Sequence, residues 1–128
     1  MKYTIIVSDV LFENVRFTTA FLFSNTIVSA GFKIISIFFN FNGVFNANKL
    51  IFSNFYENNL VNSWSNFGLK YNIPLCVCIN DASKRGIFDL EQVEYNSFKE
   101  DNLAKGFKLT GLTELFFSIQ QSDRVIKF

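Results

Sequence analysis

The stretch Asn72-Ile73-Pro74-Leu75-Cys76-Val77-Cys78-Ile79, followed at once by Asn80-Asp81-Ala82-Ser83-Lys84-Arg85-Gly86, decides how this chain is read. Its first half is short, apolar and β-rich, the pattern of a buried strand. Its second half is polar and ends in glycine, the pattern of a loop or helical turn. Strands of this kind belong to open α/β sheets, where ligands and reacting groups collect at the carboxyl ends of strands. Cys78 stands at that end. A thiol there that is open to solvent, near a helix N-terminus and beside cations, has the surroundings that favour thiolate, the reactive form of sulfur.

The flanking segments supply the rest of an α/β pattern. Tyr3–Val7 is a β-branched run expected to be the first, central strand. Ser8–Asn14 is a loop. Val15–Ala30 carries helical spacing through Phe17, Ala20, Phe21, Ile27 and Val28, with Gly31 placed as its C-terminal stop. Phe32–Phe39 is a second strand, apolar enough to be covered on both faces. Asn40–Gly43 reads as a turn and Val44–Leu50 as a short helix. Glu57–Lys70 has a helical stripe through Leu60, Val61, Trp64 and Phe67. After the cysteine strand, Ala82–Arg85 is expected to form one helical turn, capped by Asn80 or Asp81 and ended by Gly86. Leu90–Asn102 is ambiguous and partly helical. Leu112, Leu115, Phe116 and Ile119 mark a last helix capped by Thr110, and Arg124–Phe128 closes the chain as a strand. Alternating strands and helices predict a single α/β domain over residues 1–128, a parallel sheet with helices on both faces in flavodoxin-like layering.

Composition narrows the chemistry. The 128 residues are 49% hydrophobic and 18% charged, a globular profile of one-domain length. The net charge is +1 with no basic run, which argues against direct nucleic-acid binding. There is no histidine, so imidazole acid–base chemistry and His metal ligation are excluded. Two cysteines alone make neither a zinc site nor, two apart on one strand, an unstrained disulfide. Reduced thiols in a cytoplasmic protein are the expectation. No leader-like start or membrane-length apolar run is visible. The 18 phenylalanines reflect either a codon bias toward AT-rich triplets or an aromatic interface with other subunits.

Each candidate residue has a plain structural reading beside its functional one. Cys78 is a reactive thiol at a sheet rim or a buried structural one, since free cysteine is often buried. Cys76, two residues earlier on the same face, is assigned to the core. Lys84 and Arg85 add positive potential near Cys78 or simply solvate a helix end, while Asp81 opposes ionisation. No Gly-rich phosphate loop is present. Asp9, after the first strand, would suit an acidic pocket of receiver type but is better read as a cap or turn residue. Thr110, Gly111 and Asn46 could line the same side of the sheet, though turn, cap and packing roles explain them more simply.

Several segments in order carry a family resemblance: Lys2-Tyr3-Thr4-Ile5-Ile6-Val7; Ile37-Phe38-Phe39; Gly43-Val44-Phe45-Asn46-Ala47-Asn48-Lys49-Leu50; Leu60-Val61 with Trp64; Cys78 with Arg85 and Gly86; Gly106-Phe107 with Leu109, Gly111 and Leu112; and Asp123-Arg124-Val125-Ile126 with Phe128. On these the chain resembles the sulfur-relay subunits of the DsrE-like family, nearly end to end. The resemblance implies a cofactor-free sulfurtransferase with Cys78 as its persulfide-bearing cysteine, serving 2-thiouridine formation at the tRNA wobble position. It implies TusB-like and TusC-like sibling subunits in a dimer of heterotrimers, a TusA-like sulfur donor and a TusE-like acceptor. It also keeps two alternatives: a scaffold subunit with an inert cysteine, and a sulfur-oxidation subunit of the same fold. The chain departs from the family pattern at Asp9-Val10-Leu11-Phe12-Glu13-Asn14, where a Gly/Pro loop is usual, and at the polar pair Asn80-Asp81.

Overall fold

A computed structural model describes residues 1–9, 16–51 and 60–128, with residues 16–18 as backbone only. The readings made for Val10–Val15, Phe17 and Glu57 lie outside the described residues.

Five strands form one parallel sheet: β1 (Lys2–Val7), β2 (Lys33–Phe39), β3 (Leu75–Cys78), β4 (Phe107–Thr110) and β5 (Arg124–Lys127). Their order is β4-β3-β2-β1-β5, and every adjacent pair is parallel. The expected central position of β1 is corrected: β2 is central. Its carboxyl half is buried on both faces, with Ile37, Phe38 and Phe39 at zero exposure.

The order dictates where the helices lie. From β1 to β4 the chain steps across the sheet in one direction, so right-handed crossovers put the intervening helices on one face. Those elements are α1 (Arg16–Ser29), a 3₁₀ segment (Phe41–Ala47), α2 (Leu60–Tyr71), α3 (Ile79–Lys84) and α4 (Leu90–Asn96). The main core follows. Ile5, Val7, Ile37, Phe39, Leu75 and Val77 pack with Ala20 and Ile27 of α1, Trp64 and Phe67 of α2, and Ala82 of α3. Trp64 is fully buried and meets Phe21 and Phe39 edge-on, at centroid distances of 5.0 and 5.4 Å. From β4 to β5 the chain reverses across the sheet, and α5 (Leu112–Gln120) therefore crosses the opposite face. There it covers a second, smaller cluster of Phe38, Cys76 and Cys78 through Leu115. The Thr4 hydroxyl, on the same face of β1, ties down the far end of α5 through the Ser118 carbonyl (3.1 Å) and the Ser122 hydroxyl (2.6 Å).

Several local expectations are revised. The turn and short helix expected over residues 40–50 are one 3₁₀ segment, Phe41–Ala47. The helix after the cysteine strand starts three residues early, at Ile79, so its N-cap is Cys78 and not Asn80 or Asp81. Its predicted stop holds. Gly86 (φ +72) follows the C-cap, with Gly86 N–H donating to Ser83 O (3.3 Å) and Ile87 N–H to Ala82 O (2.9 Å), a Schellman closure that needs the left-handed backbone glycine provides. The strand β4, with a single buried residue, Phe107, is an addition to the elements the sequence predicts. The cap of α5 is Gly111, because Thr110 is still the last residue of β4. The apolar stripe of α5 is not a core face: the helix buries no residue, and Leu112, Phe116 and Ile119 are exposed.

Candidate functional site

Cys76 and Cys78 project from β3 to the α5 side of the sheet, as their spacing of two requires. Leu75 and Val77, between and beside them, point to the main core. Across the sheet Cys76 is level with Phe38 of β2 and Lys108 of β4, and Cys78 is level with Thr110. The cysteines thus have an apolar neighbour on one side and polar ones on the other. Leu115 of α5 closes the top.

Both are free thiols, and both are buried. Cys78 keeps 7% of its surface, against 3% for Cys76. The exposure that sequence reasoning expected for Cys78 is therefore absent in the isolated chain, because α5 lies over the strand end rather than beside it. Cys78 is still the outer member of the pair, at the carboxyl edge of the strand and at the start of α3. It does not sit at the topological switch point, which lies between β1 and β5, where the strand order reverses.

Cys76 is the deeper thiol chemically as well as geometrically. Burial pushes its pKa up. Lys108 and the Thr110 hydroxyl partly offset this, and Glu114 adds to it. Cys76 is accordingly a protonated core thiol at neutral pH, as its position in the strand suggested.

The charged residues after Cys78 have a different task from the one expected. Asp81 Oδ2 accepts the backbone N–H of Phe41 at 2.7 Å. Arg85 donates from Nε to Asn42 Oδ1 at 3.1 Å and from Nη1 to the Asp81 carbonyl at 3.1 Å, and it lies 3.9 Å from the Asp81 carboxylate. These contacts clamp α3 onto the 3₁₀ segment. Arg85 is thus committed to holding the strand–helix corner in place, and Lys84 is exposed. The departure Asn80-Asp81 gains a structural explanation, since Asp81 is half of this clamp.

The remaining candidates separate cleanly. Thr110 joins the cysteines, and Gly111 stands next to it as the cap of α5. Asn46 does not join them. It is buried and donates from Nδ2 to the Gly43 carbonyl at 2.8 Å, holding the 3₁₀ segment together. Asp9 is exposed beyond β1. Among the described residues no group of three or more His, Cys, Asp or Glu is placed to hold a metal ion, and no helix is long and apolar enough to cross a membrane.

A family model described as DsrE/DsrF-like matches residues 1–128. The chain belongs to the DsrE/DsrF-like family. Among its relatives within this family, a protein named Sulfurtransferase TusD from Buchnera aphidicola subsp. Baizongia pistaciae is 41% identical over 130 residues, covering all of both chains. The protein of the same name from Proteus mirabilis is 32% identical, covering all of this chain and 98% of the other. The crystal structure of the ychN protein from E. coli superposes with a TM-score of 0.77 over the whole of both chains at 14% identity, a likeness of fold. The single-domain parallel α/β sheet expected of a DsrE/DsrF-like chain is what the structure contains.

Proposed function

We propose that this chain is a sulfurtransferase subunit that carries a persulfide on Cys78 and relays sulfur between carrier proteins, toward 2-thiouridine at the tRNA wobble position. The observation that carries the reading is the place of Cys78, the last residue of β3, in a chain matched end to end by proteins named Sulfurtransferase TusD.

The chemistry is sulfur-to-sulfur displacement. The Cys78 thiolate attacks the terminal sulfur of a donor persulfide. A bond forms between Cys78 Sγ and that sulfur, the donor's own S–S bond breaks, and the donor leaves as thiolate. An acceptor thiolate then attacks the outer sulfur on Cys78 and takes it, returning the Cys78 thiolate. Each step exchanges one S–S bond for another, so no net oxidant or reductant is consumed and no metal or organic cofactor is required. Enclosure by Phe38 and Leu115 would shield the carried sulfur from water and reductants between the two steps.

The partners in this reading are a TusA-like donor, a TusE-like acceptor, and TusB-like and TusC-like siblings in a dimer of heterotrimers acting in the cytoplasm. The exposed apolar side chains of α5, Leu112, Phe116 and Phe117 at 67, 56 and 52% exposure, support association with other subunits on the cysteine side of the sheet. Such packing on α5 would also be the means of moving Leu115 and opening Cys78.

The burial of Cys78 specifically favours a second reading, a scaffold subunit with an inert thiol. Mass analysis after incubation with a persulfide donor separates the two. One added sulfur is expected on the wild type and on Cys76→Ser, and none on Cys78→Ser. A Cys78→Ser variant that sustains full sulfur relay in the assembled complex would establish the scaffold reading instead.

A further inference from the structure

One hydroxyl at the cysteine pair is poorly partnered in the fold. The Thr110 Oγ1 atom is shut off from solvent and makes no hydrogen bond of good distance and angle. A buried hydroxyl without a partner is destabilising, and native structures seldom keep one without a reason. Thr110 is level with Cys78 in the β3–β4 register, so both side chains rise from the same face on adjacent strands. Its one polar partner is the Cys76 thiol, a hydrogen bond of poor geometry that favours that thiol's ionised form. Phe38 and Leu115, which pack on the sulfurs, are hydrocarbon, and the Lys108 cation of β4 is level with Cys76 rather than with Cys78.

We propose that Thr110 is the hydrogen-bond donor that holds the outer sulfur of the group carried on Cys78. This rests on the relay reading of Cys78. A hydroxyl has one proton to give and rotates freely to aim it. A persulfide ionised at its outer sulfur places a negative charge one S–S bond beyond Cys78 Sγ, against the hydrocarbon of Phe38 and Leu115. A weakly partnered donor on the neighbouring strand is already desolvated, and it gains a charged acceptor when the sulfur arrives. The good hydrogen bond it lacks in the unloaded chain is then what the loaded chain supplies.

The test compares wild type, Thr110→Val and Thr110→Ser in the full chain, loaded with a low-molecular-weight glutathione persulfide and freed of excess donor. Intact mass then follows loss of the added sulfur with time. Thr110→Val keeps the shape and removes the donor, and is expected to lose the sulfur about tenfold faster, the effect of one hydrogen bond to a charged group. Thr110→Ser is expected to hold it within about twofold of wild type, since it keeps the hydroxyl. The unloaded Thr110→Val chain is expected to unfold at the same or a higher urea concentration, because a poorly paired buried hydroxyl has been removed. Equal retention in wild type and Thr110→Val overturns the proposal, as does a Thr110→Val chain that unfolds earlier than wild type, which would mean a structural hydrogen bond had been lost. A wild type that takes up no sulfur even when assembled with its partner subunits overturns the relay reading itself, and this proposal with it.

Discussion

Replacing Gly43 with alanine tests how the corner that carries Cys78 is built. Gly43 has an ordinary backbone conformation, so the substitution is a question of space alone. A Cβ at this position would overlap the Val7 carbonyl oxygen, and would stand 2.7 Å from the Val7 carbonyl carbon and 3.2 Å from Ser8 Cα. All three are backbone atoms, of the last residue of β1 and the residue after it, and cannot rotate out of the way. Restoring ordinary contact requires the 3₁₀ segment to retreat by about an ångström or more. That segment is held by Asn40 N–H to Val7 O (3.1 Å), by Gly43 N–H to Asn40 O (2.8 Å) and by Phe41 N–H to Asp81 Oδ2 (2.7 Å). Overpacking of this kind costs about 1–3 kcal/mol, and loosening two or three hydrogen bonds adds about 1 kcal/mol each. The expected loss is about 3–6 kcal/mol, a large part of the ~5–15 kcal/mol by which a domain is stable. In urea unfolding followed by tryptophan fluorescence, with a slope of about 2 kcal/mol/M, the midpoint should fall by about 2 M. Gly111→Ala is the control, because nothing lies within 4 Å of its added carbon. A Gly43→Ala midpoint within about 0.3 M of wild type would refute the argument that β1 and the 3₁₀ segment touch backbone to backbone.

The other predictions concern the thiols and the stop of α3. Leu115→Ala should raise the rate at which Cys78 in the isolated chain reacts with iodoacetamide, while Cys76 stays slow. Peptide mapping of the alkylated chain reads both sites, and unchanged Cys78 labelling would mean that Leu115 is not what covers it. For Cys76 the sign follows from a folded-state pKa raised by burial. Below about pH 8.5 the thiol is protonated in both folded and unfolded chains. Above it the unfolded chain loses the proton first, so stability declines as pH rises further. Urea midpoints measured from pH 7.5 to 10 should fall more steeply for wild type than for Cys76→Ala, and parallel curves would contradict this assignment. Gly86→Ala, at φ +72 with open space around it, should cost about 1–2 kcal/mol through its backbone conformation alone. A urea midpoint equal to wild type would show that the Schellman closure tolerates a side chain.

Much of the cysteine strand could be read from its residues. A run of β-branched and apolar residues broken by Asn80 and Asp81 marks a strand end, and a spacing of two puts Cys76 and Cys78 on one face with Cys76 inside. The stop at Gly86 was equally legible, because a left-handed residue after a helix is a local demand that glycine meets. Asn80 and Asp81 carry the local signature of a helix cap, yet α3 begins before them, at Ile79. In the fold the chain turns directly from β3 into the helix, and Asp81 is drawn away to the 3₁₀ segment by Phe41 N–H. The amphipathic stripe of α5 is legible in its spacing, but periodicity reports that a face is apolar and not what covers it. Phe107–Thr110 alternates apolar and polar residues as a half-buried strand does, but over four residues the signal is short, and Thr110 just before α5 equally fits a helix cap.

Alternating apolar segments and their glycine stops were enough to determine a parallel α/β domain, and the absence of histidine left sulfur as the chain's distinctive chemistry. These are local properties, set by backbone preference and side-chain type. The strand order, and with it the face on which α5 lies, was decided only by tertiary structure. The reversal between β4 and β5 carries α5 over the cysteines, burying Cys78 beneath Leu115 and bringing Thr110 level with it. Pairing between strands depends on contacts across the whole chain, and no single segment contains that information.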